Sequence, residues 1–314
     1  MADTENWERQ VLEKLALSAL QEQRRTRHWN IFFRLIGFLF LFALLYMIMG
    51  WSGGRGDMPL PGKHTAMVDL QGVIAPDEAS ADKVISGLQE AFKDKNTKGV
   101  ILRINSPGGS PVQAGYINDE IKRLRAKYPT IPLYAVVEDI CASGGYYVAV
   151  AADKIFVDKA SIVGSIGVLM DGFGFTGAME KFGVERRLLT AGENKGFMDP
   201  FSPANPKQQV YAQAMLDEIH QQFIKVVRNG RGKRLKETPE TFSGLVWSGE
   251  KSVQLGLADG FGSMDYVARE IIKAEDVVDF TPHEGIAERF AKRLGATMAK
   301  TLVSPVTQSG TSLH

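Results

Sequence analysis

Ser143 and Lys195 are the residues whose types and settings could carry covalent chemistry. Ser143 sits in Cys141-Ala142-Ser143-Gly144-Gly145-Tyr146-Tyr147, where a β-like run passes into a small-residue helix. A serine on a tight, glycine-flanked turn can act as a nucleophile. Lys195 lies in Ala191-Gly192-Glu193-Asn194-Lys195-Gly196, a glycine-bounded loop followed by apolar Phe197 and Met198. A lysine there can take the serine's proton, provided that the fold brings the two together and strips water from the amine. Such a pair would make a Ser-Lys hydrolase.

A second strand-to-helix junction reads Asn105-Ser106-Pro107-Gly108-Gly109-Ser110. Ligands bind at strand ends in parallel sheets, and glycines let the backbone turn its N–H groups outward. Taken alone, the stretch is as readily a tight turn. Beside Ser143-Gly144-Gly145 it reads as the other half of one site, with Gly109 and Gly144 each giving an N–H to an oxyanion hole.

Other chemistries have less support. The histidines are His28, His64, His220, His283 and His314. None lies in a glycine-bounded loop, and no G-x-S-x-G string occurs, so a Ser-His-Asp triad is unsupported. Cys141 is the single cysteine. It reads as a small buried hydrophobe, and no disulfide can form within the chain. Two S-x-x-K strings, Ser80 to Lys83 and Ser248 to Lys251, read as ordinary helix starts. No residue cluster has metal-ligand spacing, and no phosphate-loop or dinucleotide fingerprint occurs, so no cofactor and no metal are expected. A net charge of +1 gives no footprint for nucleic acid.

The elements that must position these residues alternate along the chain. Residues 65–74 read as a strand, and 81–93 as a helix with Val84, Leu88 and Phe92 on one face. Residues 99–104 read as a buried strand, and Ser110-Pro111 as the cap and first turn of a helix carrying Val112, Ile117, Ile121 and Leu124. Strands over 133–137 and 154–157 flank a helix over 144–152. Asn205-Pro206 opens a long helix, with Tyr211, Met215, Ile219, Phe223 and Val226 inward and Gly230 closing it. This order implies crossover units, a mostly parallel sheet and an α/β class. With 314 residues, 44% of them hydrophobic, the chain can bury a sizeable core.

Residues 31–51 form an apolar span interrupted by Arg34 and long enough to cross a bilayer as a helix. About 30 residues precede it, and no small-residue cleavage site follows, which favours a retained signal anchor over a cleaved signal peptide. Arg24, Arg25, Arg27 and Arg34 cluster before its core, so the positive-inside rule places residues 1–30 in the cytoplasm. The large C-terminal part then lies across the inner membrane, in the periplasm of a Gram-negative cell. Within residues 1–30, positions 7–23 read as a short amphipathic helix. The expected organisation continues with a linker at 52–63, a catalytic domain at 64–280, and an amphipathic basic helix with a disordered tail at 281–314.

From about Thr65 to Met264 the chain resembles the signal peptide peptidase SppA (protease IV) family, in its short, single-domain form. The resemblance rests on Arg103-Ile104-Asn105-Ser106-Pro107-Gly108-Gly109, Ala142-Ser143-Gly144-Gly145-Tyr146-Tyr147, Gly164-Ser165-Ile166-Gly167, Lys195, Val246-Trp247-Ser248-Gly249 and Gly256-Leu257-Ala258-Asp259. It implies a ClpP/crotonase-like fold, Ser143 as nucleophile, Lys195 as general base, Ser165 as a partner that orients the lysine amine, and oxyanion donors at Gly109 and Gly144. It also implies a homo-oligomer whose neighbouring subunits share the active site, with apolar signal peptides as substrates beside membrane lipid. One departure is Ser110, where some relatives have a third glycine. Two competing readings keep the fold. A crotonase-like acyl-CoA enzyme would turn the same N–H pair on an enolate, and would need cytoplasmic CoA. A non-catalytic membrane scaffold would keep only the assembly.

Overall fold

The computed structural model describes residue 25 and residues 27–44 and 62–282. These fall into two units, taken separately here. The first is helix α1, Arg27–Leu44, with a mean hydropathy of 1.3. It is long and apolar enough to cross a membrane. The expected span continues to Trp51, and residues 45–51 lie outside the described residues, as do the segments 7–23, 52–61 and 283–314.

The second unit is built on β1 (His64–Gln71), β2 (Thr97–Ser106), β3 (Leu133–Ala142), β4 (Lys154–Val157), β5 (Ile162–Gly164), β6 (Val246–Ser248), β7 (Gly260–Phe261) and β8 (Val277–Asp279). The main path runs β6-β5-β3-β2-β1-β8, with β4 beside β3 and β7 beside β4. Every pairing is parallel except β5 with β6. The expected α/β class, a mostly parallel sheet with flanking helices, is what the chain adopts.

Helices α2 (Ala81–Lys93), α3 (Pro111–Lys127) and α4 (Gly144–Ala149) connect β1 through β4. Val84, Leu88 and Phe92 of α2, and Ile117, Ile121 and Leu124 of α3, pack on Leu70, Leu102, Ile104 and Val137 of the sheet. Strand alternation sends Ile101 and Val136 to the opposite face, where they meet Phe156, Val267 and Ala268. The central strands are therefore covered on both faces, which explains their nearly unbroken apolar runs.

Both S-x-x-K strings are helix caps, as expected. The Ser80 hydroxyl accepts from the Lys83 N–H at 3.5 Å, and the Ser248 hydroxyl from the Lys251 N–H at 3.2 Å. The second begins α7 (Gly249–Gln254). Ser110 caps α3 in the same way, ahead of Pro111.

The long helix departs from expectation in two respects. α6 runs Pro206–Arg231, capped by Asn205, and ends at Gly232 rather than Gly230. Gly230 lies inside the helix because its backbone meets Val150, where a Cβ would run into the carbonyl oxygen. Tyr211 is also exposed, whereas Phe223, Ile224 and Val227 are buried. Ala212 is the one buried residue of the N-terminal half of α6, and burial is concentrated in its C-terminal half. There Arg231, 1% exposed, forms a bidentate ion pair with Asp259 at 2.8 and 2.9 Å.

Candidate active site

The register of β3 assembles the site. Tyr134 to Val136 pair with β4, and Ile140 to Ala142 pair with β5. Ser106, the last residue of β2, lies opposite Cys141, and Ala142 lies opposite Gly164. The three chains leave these strands side by side. The Pro107-Gly108-Gly109 loop, Ser143 and Ser165 are therefore neighbours, although they come from three distant stretches of sequence.

Ser143 has φ +51°, a region that non-glycine residues rarely occupy. It is held there at both ends. Its N–H donates to the Gly164 carbonyl at 2.8 Å, and its carbonyl accepts from the Tyr147 N–H at 2.9 Å, within the first turn of α4. The side chain is half-buried at the helix N-terminus. Cys141 beneath it is fully buried, and burial pushes its thiol well above the ordinary range, so no thiolate competes there. The reading of Cys141 as a small core residue holds.

Gly108 and Gly109 have φ +104° and +144°. A Cβ on Gly108 would lie 2.7 Å from both the Gly144 nitrogen and the Ser143 Cβ. A Cβ on Gly109 would collide with the Ile74 carbonyl. The glycines allow this loop to press against the serine turn. In that approach the Gly109 nitrogen sits 3.3 Å from where a Cβ of Gly144 would be. Neither the Gly109 nor the Gly144 N–H has an acceptor among the described residues. Gly144 is the first residue of α4, so its N–H is one of the helix's orphans. Two unspent amides beside a serine on a strained turn are what a tetrahedral oxyanion requires.

Ser165 has φ +52° and is half-buried. Its N–H donates to the Leu245 carbonyl at 2.8 Å, and its carbonyl accepts from Gly167. Lys195 stands in an exposed turn, its N–H donating to Gly192 at 3.1 Å. Its amine makes no hydrogen bond or ion pair among the described residues. The single chain thus brings Ser143, Gly109, Gly144 and Ser165 together and leaves Lys195 in solvent. In the preceding stretch of chain, Leu169, Phe173, Phe182 and Leu189 are each at least 79% exposed.

His220, weighed in the sequence only as a possible triad member, makes a contact beside the site. Its Nε2 donates to the Ile166 carbonyl at 3.1 Å, one residue past Ser165. Only the packing of α6 beside the segment that follows β5 produces this contact, and no local signal announces it. A depression of about 940 Å³ lies elsewhere, lined by Arg103, Glu138, Asp139, Lys159, Phe261 and Tyr266 among others, and contains none of the site residues.

The chain is similar to several known proteins. The profile of peptidase family S49 matches residues 125–278. "Putative protease MJ0651" of Methanocaldococcus jannaschii is 31% identical over 246 residues, which cover 75% of this chain and 78% of that one. "Protease 4" of Haemophilus influenzae is 32% identical over 220 residues, 68% of this chain and 35% of that protein. A protein of Brucella melitensis named "Na(+)/H(+) antiporter NhaA" is 46% identical over 177 residues, 56% of this chain. The chain spans only 24% of that relative's length.

Proposed function

This chain belongs to peptidase family S49, serine peptidases of ClpP/crotonase-like fold, and we propose that it is a membrane-anchored endopeptidase working through a Ser143-Lys195 dyad. The observation that carries the reading is the Ser143 turn, strained and half-buried, with the unspent Gly109 and Gly144 amides beside it. In the proposed mechanism neutral Lys195 takes the proton of the Ser143 hydroxyl. The Ser143 oxygen bonds to the scissile carbonyl carbon, and the two amides hold the oxyanion. The C–N bond breaks as Lys195 returns its proton to the leaving amine. Water then attacks the acyl-enzyme through the same base, releasing the carboxylic acid and restoring Ser143.

The solvent-exposed Lys195 and the exposed apolar side chains of the same segment support a base delivered to the Ser143 of a second copy. Docking that segment on a neighbour would cover the apolar surface and strip water from the amine at once, with the Ser165 hydroxyl orienting it. The proposed substrates are signal peptides left in the inner membrane. α1 supports an anchor by its length and hydropathy, and the arginines before its core support a periplasmic peptidase domain. An acyl-CoA enzyme would need CoA on the opposite side of the membrane.

Purified full-length protein with a fluorogenic apolar peptide tests this reading. Ser143→Ala and Lys195→Ala should each abolish cleavage, and mixing the two inactive proteins under subunit exchange should restore part of it. Full activity in either variant rejects the dyad. Inactivity of the mixture despite demonstrated exchange rejects the shared site. An inactive parent enzyme that still assembles would favour the scaffold.

A further inference from the structure

We propose that Ser106 is a positioning residue for the oxyanion hole, aiming the Gly109 amide at the reacting carbonyl; the inference rests on the serine-peptidase reading above. Ser106 is completely buried at the end of β2. Its hydroxyl donates to the Gly72 carbonyl at 2.7 Å and accepts from the Gly108 N–H at 3.2 Å. One side chain therefore ties the turn after β1 to the glycine loop after β2.

The consequence is read along three successive amides. The Gly108 N–H is spent inward on Ser106. The Ser110 N–H is spent on the Ile74 carbonyl at 2.8 Å, while the Ile74 N–H holds the Gly108 carbonyl at the same distance. With its neighbours fixed on both sides, the middle amide, Gly109, is left pointing away from Ile74. Ser106 also lies under the other donor's helix. A Cβ on Gly145 would sit 3.1 Å from the Ser106 carbonyl oxygen and 3.3 Å from its Cβ. Both halves of the hole thus rest on this residue. Without the hydroxyl, the buried Gly108 N–H and the Gly72 carbonyl lose their shared partner. The peptide units of the loop can then rotate toward other acceptors, carrying the Gly109 N–H off its line.

The effect belongs to the tetrahedral intermediate and the transition states flanking it, because the bound substrate carries no oxyanion. In full-length protein, Ser106→Ala should lower kcat by about 10- to 100-fold, a fraction of what deleting an oxyanion donor outright costs. KM for the fluorogenic peptide should stay within about threefold. Inhibition by a peptide aldehyde, which forms a tetrahedral adduct with the nucleophile, should weaken by the same factor as kcat. Ser106→Thr, which keeps the hydroxyl, should recover most of the rate. The proposal is overturned if Ser106→Ala keeps kcat within threefold of the parent, or if KM absorbs the whole loss. It is also overturned if both variants unfold at the assay temperature, since the hydroxyl would then serve the fold alone. Ser143→Ala in the same assay separates the two readings. If it remains active, the peptidase mechanism itself fails; if it is dead while Ser106→Ala is unimpaired, only the positioning role fails.

Discussion

The sheet around β1 to β5 and the segment from Leu169 to Tyr211 use the same kinds of apolar residue and treat them oppositely. Val68, Leu102, Ile104 and Ile121 are completely buried, whereas Leu189 is 96% exposed and Phe182 is 82% exposed. α6 shows both behaviours in one helix, with Val210 and Tyr211 in solvent and Phe223 and Val227 in the core. The sheet satisfies its own hydrophobic surface, and the segment does not. Exposed apolar area on this scale marks a surface that meets something else. The division runs through the proposed site. Ser143 and both amides sit on the self-sufficient part, where strain at φ +51° is held by packed neighbours. Lys195 sits on the part whose apolar side chains are left exposed. In the proposed mechanism, rigidity is thereby given to the groups that must be aimed, and the base would be withheld until assembly.

Substitutions can break this contrast from either side. The largest effect on folding should come from Asp259→Ala, which leaves Arg231 buried and unpaired at the junction of α6 and the sheet. It should cost about 3–5 kcal/mol, measured by denaturant unfolding of full-length protein in detergent. A loss under 1 kcal/mol would mean that α6 is not part of the self-sufficient core.

Gly109→Ala should follow closely, through catalysis. The added methyl collides with Ile74 and displaces the donor, so kcat should fall about 10²- to 10³-fold. An unchanged kcat would remove Gly109 from the hole.

Acid should act on the sheet unit next. Burial pushes the Asp259 carboxyl up, but the Arg231 hydrogen bonds and charge outweigh this and hold it below the usual carboxylate range. The native state therefore binds its proton less readily than the unfolded chain does. Its contribution is complete above the unfolded value of about 3.9 and is lost as pH falls through the native value. The melting temperature should stay level from pH 7 to about 5 and drop below about 4. The drop should be smaller in Asp259→Asn.

The smallest effect on folding should come from the exposed segment. Phe182→Asp and Leu189→Asp should change the stability of the chain by no more than about 0.5 kcal/mol, because neither side chain is buried in it. Light scattering should nevertheless report a smaller species, with peptidase activity lost alongside. Intact assemblies in both variants would place the subunit contact elsewhere.

Much of this was legible in local patterns. The Ser110-Pro111 helix start, the caps at Ser80 and Ser248, and the apolar face Val84, Leu88 and Phe92 depend on neighbours three or four positions away. The two glycine junctions were legible as halves of one site, because only a close backbone approach calls for such runs at strand ends. Less was legible along α6. Its apolar spacing is regular from Tyr211 to Val226, and spacing cannot tell which turns have a sheet beneath them. Gly230 looked like a terminator because a glycine that ends a helix and one that admits a crossing backbone look alike in sequence. The contacts of His220 and Ser106 carried no local signal, since their partners depend on how separate strands and helices dock.

Sequence by itself determined the element order, the apolar span and the parallel α/β class, and it singled out Ser143, Gly109, Gly144 and Lys195 as candidates, because these follow from short-range periodicity and residue chemistry; Ser165 came only from the family resemblance. Tertiary structure alone decided that Ser106 faces Cys141 and Ala142 faces Gly164, that two amides remain unspent, and that Lys195 stands in water in the single chain. Strand register and burial are properties of pairing across long separations, and no window along the chain contains both members of such a pair.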